Sequence, residues 1–178
     1  MSSKLSQDCI AVTNYIIEKI IKYNNGKKLV NEQILLHTKK IQKLLYFCDV
    51  EYMKRNNGLP LFNDEYKAWP GGPAIDGVYS EYMSFSDFGP FPKKDLQIIE
   101  LSDEVKQLID AVLDGIMGID TSDLIRASNI EGGPWHQVYD ENDKMYSHVV
   151  SSESIYSFYR NRDIISGEVE LSLKKLNS

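Results

Sequence analysis

Apolar residues recur at helical spacing over residues 5–24, where Cys9, Val12, Ile16, Ile17, Ile20 and Ile21 share one face before the run stops at Asn24, Asn25 and Gly26. The same spacing is strongest over 37–58. There Ile41, Leu44, Leu45, Phe47, Cys48 and Tyr52 form a stripe, Thr38 is suited to cap the start and Gly58 to end the run. This is the expected central helix, with one helical turn at 31–36 ahead of it. Ser102 precedes an amphipathic run carrying Val105, Leu108, Ile109 and Val112, with Asp103 and Glu104 in its first turn complementing the helix dipole. Thr121 precedes a shorter run through Ala127, and Ile155, Phe158 and Tyr159 line up in a last helix at 151–161. Alternation marks short strands at 65–69 and 96–101, expected to pair with each other, separated by a Pro- and Gly-broken loop at 85–95. It recurs at 169–173, where the tail is either an edge strand or a loosely attached end. The expected fold class is mostly α, a compact helical domain with a small two- or three-stranded sheet, forming one domain over 1–178.

The stretch EYKAWPGGPAIDGVYSEYMSF at 65–85 joins strand to helix. Pro70 cannot donate to a sheet ladder, so the alternating run must stop or turn there. Gly71 and Gly72 open backbone angles closed to other residues, and Pro73 has the φ suited to a first helical position. A helix is therefore expected from Pro73, with Ile75, Val78, Tyr79 and Tyr82 on its buried stripe and Asp76 in its first turn. The stretch EGGPWHQVY at 131–139 repeats the logic, with a helix start at Pro134.

Composition narrows the class. The 178 residues are 42% hydrophobic, enough for a packed core. The net charge of −6 is uneven: 11 basic and 7 acidic residues precede residue 68, against 9 and 19 after it. That polarity disfavours nucleic acid as the main ligand and suits a protein partner. Cys9 and Cys48 stand apart at apolar positions and read as reduced core thiols. With no signal peptide and no run long enough to span a bilayer, the expectation is a soluble cytoplasmic protein without membrane contact.

Few residues carry catalytic or metal-binding patterns. His136 and Asp140 are four apart, near Glu131, Asp143 and His148, but no H-E-x-x-H, paired-cysteine, P-loop or G-x-S-x-G motif accompanies them. The reading is no enzyme, no catalytic residues, no metal and no cofactor. Lys39, Lys40 and Lys43 are expected on a solvated face of the central helix. Trp69 and Trp135, each beside a Gly-Gly-Pro element, and the eleven tyrosines are either core residues or the lining of a partner groove.

The block KIQKLLYFCDVEYMKRNNGLPLFNDEYKAWPGGPAIDGVYSEY, then LSDEVKQLIDAVL, EGGPW and SSESIYSFY, resembles the Panacea domain of SocA-like antitoxins, also known from phage-associated GepA-type proteins. The resemblance is strongest over 38–159, after an N-terminal helix and loop at 1–37 and before a tail at 166–178. Its most specific positions are Ile41, Lys43, Leu44, Leu45, Tyr46 and Phe47, followed by Pro60, Leu61, Phe62, Ala68, Trp69, Gly72 and Pro73. It implies a non-enzymatic antitoxin that neutralises a cognate toxin encoded beside it, with an adaptor role toward a cytosolic ATP-dependent protease and homo-oligomerisation as further partner expectations. The alternative is a phage or mobile-element protein acting on a host factor; a hydrolase comes last. The partner surface is expected at Trp69, Gly72, Pro73, Asp76, Tyr79 and Trp135, where amides of a first helical turn after Pro73 would face a partner beside Trp69. The same corner is equally well read as a turn.

Overall fold

The computed structural model describes residues 7–83 and 100–162. Its helices are α1 (Cys9–Asn25), α2 (Thr38–Arg55), α3 (Asp76–Tyr82), α4 (Asp103–Ile116), α5 (Thr121–Ser128), α6 (Pro134–Val138) and α7 (Ser152–Tyr159), with a 3-10 turn at Val30–Glu32. Three strands, β1 (Tyr66–Trp69), β2 (Gly72–Ala74) and β3 (Val149–Val150), form one antiparallel sheet in the order β2-β1-β3. The fold is mostly α with a small sheet. No helix among the described residues is long and apolar enough to cross a membrane.

Local chemistry explains most of the helix limits. Asp8 accepts from the Ala11 amide at 2.9 Å and caps α1, a role the pattern of 5–24 did not reveal. Ser102 caps α4 and Ser151 caps α7 by the same means. The N-caps of α2 and α5 are instead His37 and Asp120, neither with a side-chain cap bond, so Thr38 and Thr121 are first helical residues. The Thr38 hydroxyl donates to the Tyr82 carbonyl, and that of Thr121 lies 3.1 Å from the His37 ring.

Helix α2 is the axis of the molecule and packs against α1, α3, α4, α5, α7 and β2. A helix surrounded on every side needs apolar residues beyond one stripe, and Tyr46, Val50 and Met53 join Ile41, Leu44, Leu45, Phe47, Cys48 and Tyr52 in the core. Both cysteines are free and buried, and burial pushes their thiols well above the usual range.

Four of its polar residues are buried as well. Lys40, Gln42, Lys43 and Asp49 are each 4% exposed or less, so the expected solvated lysine face is wrong for Lys40 and Lys43; Lys39 alone of the three is exposed. Buried polar groups need partners, and these side chains find them in the backbone of neighbouring loops and strands. The Lys40 ammonium donates to the Ile119 carbonyl. Asp49 accepts from the Leu61 amide at 2.8 Å and the Tyr66 hydroxyl at 3.1 Å, while burial pushes its pKa up to about 7.

The chain between β1 and α3 differs from expectation. Pro73 does not start a helix: it lies in β2, opposite Ala68, and α3 begins at Asp76. Pro70 and Gly71 form a two-residue loop with Gly71 at φ +90, the residue order of a type II turn. The strand at 65–69 pairs with β2 and β3; most of the run at 96–101 lies outside the described residues, as do the 85–95 loop and the 166–178 tail. Pro134 does start α6, at its first position, as expected.

The burial of α2 predicts a ranking. Leu44→Ala should cost about 2–5 kcal/mol, whereas Lys39→Ala, on an exposed position, should stay within about 0.5 kcal/mol. Urea denaturation of both variants checks it, and the reverse order would refute the assignment of helix faces.

Candidate functional site

The site forms where α2 meets the β1–β2 hairpin. β2 is an edge strand, and alternate residues of a strand turn their backbone groups to opposite sides. Gly72 and Ala74 face β1, whereas Pro73 and Ile75 face α2. Gln42 acts there as a surrogate strand: its Nε2 donates to the Ile75 carbonyl at 2.9 Å and its Oε1 accepts from the Ile75 amide at 3.0 Å. From the next residue of α2, Lys43 Nζ donates to the Pro73 carbonyl at 2.8 Å. The missing N–H of Pro73 costs nothing, because it belongs to the side turned away from β1.

Gly72 is required by this closeness. Its φ is +114, and a Cβ would lie 2.5 Å from Lys43 Nζ, 2.6 Å from Asn129 Oδ1 and 2.7 Å from Ser128 Oγ. The start of α2, the hairpin and the end of α5 therefore converge on one backbone atom.

Above them is a recess of about 90 Å³. α2 contributes Thr38, Lys39, Gln42 and Lys43 to its lining. The hairpin turn contributes Trp69 through Gly72, and Ala74 and Tyr79 complete the wall. The Trp69 and Tyr79 rings meet edge to face, 5.1 Å between centroids. Tyr79 is 41% exposed, off the buried stripe of α3 that Ile75, Val78 and Tyr82 were expected to share with it and do occupy. Asp76 pairs with Lys67 across 2.5 Å, and both side chains are about a third or more exposed, at 48% and 35%.

Of the six residues expected at a partner surface, Trp69, Asp76 and Tyr79 are accessible at this corner, and Gly72 and Pro73 are buried beneath it. Trp135 is a support: 9% exposed, it stacks on Tyr139 with ring centroids 4.3 Å apart and donates its indole N–H to the Trp69 carbonyl at 2.9 Å. α3 has seven residues and starts three positions after Pro73, so the amide array expected there does not form. Lys43 and Gln42 were missed as site residues. The signal available was apolar residues on every side of α2, which leaves its polar residues nowhere solvated to go.

His136 and Asp140 are not brought together, because α6 ends at Val138. The His136 Nδ1 accepts from the Gly132 amide and Asp140 Oδ1 from the Asn142 amide. Among the described residues no group of three or more His, Cys, Asp and Glu is gathered as a metal site.

The match to known proteins covers this corner. Residues 41–136 match the family described as Antitoxin SocA-like, Panacea domain. The chain belongs to that family. It is also 30% identical over 143 residues to Antitoxin SocA of Caulobacter vibrioides (strain NA1000 / CB15N), spanning 73% of this chain and 69% of the relative. No solved structure matches. In this SocA-like chain the matched segment begins within α2 and ends in α6, so it contains the Gln42, Lys43 and hairpin walls of the recess and its Trp135 support, while Thr38 and Lys39 precede it.

Burial, and then the charge of Lys39, draw the Lys43 pKa from 10.5 down to about 7. Above about pH 7 the unfolded chain keeps a proton at this position that the folded chain has shed, so this group makes stability rise with pH from about 7 toward 10.5. Lys40, drawn down to about 8 by burial, acts with the same sign; Asp49, raised by burial, acts with the opposite sign mainly below pH 7. Lys43→Met should therefore flatten the rise in urea stability between about pH 7 and 8.5 relative to wild type. An equal slope in both would mean that Lys43 keeps its proton in the folded state.

Gly72→Ala should destabilise by roughly 1–3 kcal/mol, from strain at positive φ and the clash with Lys43, Ser128 and Asn129. Thermal melting that matches wild type would show that this junction yields freely.

Proposed function

We propose that this protein is a single-domain antitoxin that neutralises a partner toxin by direct binding, and that the corner of Trp69, Asp76 and Tyr79 is its contact surface. Membership of the SocA-like family carries the antitoxin part of the reading. The location rests on chemistry: a half-buried Trp and an exposed Tyr form one rigid aromatic edge beside a charged pair, the residue types that dominate binding hot spots. The role is that of a binding module rather than an enzyme, since side chains here are spent on holding backbone and presenting rings.

Co-expression with the toxin from the adjacent reading frame tests this. Tyr79→Ala and Asp76→Lys should each leave the melting temperature near that of wild type and weaken toxin binding by about 2 kcal/mol or more at a true hot spot, with loss of growth rescue. The Asp76–Lys67 pair is exposed and contributes little to folding. Full rescue and wild-type affinity from both folded variants would remove this corner from the interface.

A further inference from the structure

The recess itself has a chemistry that the aromatic edge does not explain. Lys39 and Lys43, four residues apart and so on one side of α2, both line it. No described residue lining it carries a carboxylate, in a protein whose net charge is −6. Resting on the reading that this corner meets a partner protein, we propose that the recess receives an acidic side chain, Asp or Glu, from that partner, its carboxylate meeting Lys39 at the mouth while neighbouring apolar atoms of the segment pack against Trp69 and Tyr79.

Size and charge select this occupant. About 90 Å³ is well below the roughly 300–1,000 Å³ of small-molecule sites, so the space suits one inserted side chain rather than a free metabolite. A nucleic-acid backbone would bring many phosphates against a net negative surface, whereas one acidic side chain brings a single charge to the place where two lysines wait. Burial first and the nearby charge of Lys39 second disfavour a proton on Lys43, and a carboxylate beside Lys39 offsets the second of these.

The test uses the full chain, isotopically labelled, titrated with the capped peptide Gly-Phe-Glu-Phe-Gly and its Gln counterpart and followed by NMR. The Glu peptide should move the Trp69 indole and Tyr79 amide signals and bind roughly threefold or more tighter than the Gln peptide, with the preference lost in Lys39→Glu and reduced in Lys39→Gln. Equal binding of the two peptides, an undiminished preference in Lys39→Glu, shifts confined to another face, or no shifts would each overturn the proposal. The toxin assay fails separately. Growth rescue with no peptide preference keeps the antitoxin reading and discards the acidic occupant, while a Lys39-dependent preference without rescue keeps the recess chemistry and discards the toxin.

Discussion

The described fold is arranged around one helix whose middle stretch, from Lys40 to Val50, has no solvent face of its own. Burying that stretch on all sides removes water from Lys40, Gln42, Lys43 and Asp49 nearly as completely as from Leu44, and each of these polar groups must then be matched inside the protein. Apart from the Tyr66 hydroxyl on Asp49, the matching partners are backbone groups: Ile119 after α4, Leu61 after α2, Pro73 in β2 and Ile75 just after it. The constraint thus works in both directions. The helix needs the loops to satisfy its polar atoms, and the loops take their positions from the helix.

Helical periodicity made α1, α2, α4, α5 and α7 legible, because an amphipathic stripe follows directly from which side faces the core. It also misled in one respect. A stripe of Leu44 and Leu45 implies an opposite solvated face only when the helix lies at the surface, and nothing local reports that α5 and the hairpin will cover Lys40 and Lys43. The misplaced helix start at Pro73 has a similar origin. Gly-Gly-Pro suits a helix N-terminus and an edge hairpin equally, and the choice is made by Gln42 and Lys43, about thirty positions earlier, through bonds to Ile75 and Pro73. At Pro134 no such long-range partner intervenes and the local rule held.

The candidate site was legible as a place before it was legible as a mechanism. Trp69, Asp76 and Tyr79 are all at the accessible corner, but the amide array expected there is absent, and Lys39 at the mouth with Lys43 beneath distinguishes the recess. Trp135 takes part from below, holding the Trp69 carbonyl and therefore the position of the hairpin.

The covered edge of β2 has one more consequence. An open edge strand is a template on which a second chain can extend a sheet, and many proteins capture partners, or aggregate, by that route. Here the outward backbone groups of Pro73 and Ile75 are already engaged by Lys43 and Gln42, and the strand has three residues. A partner arriving at this side finds no main-chain ladder to join. A segment docking there would have to rely on its side chains, and a strand of arbitrary sequence would gain nothing from the β2 edge.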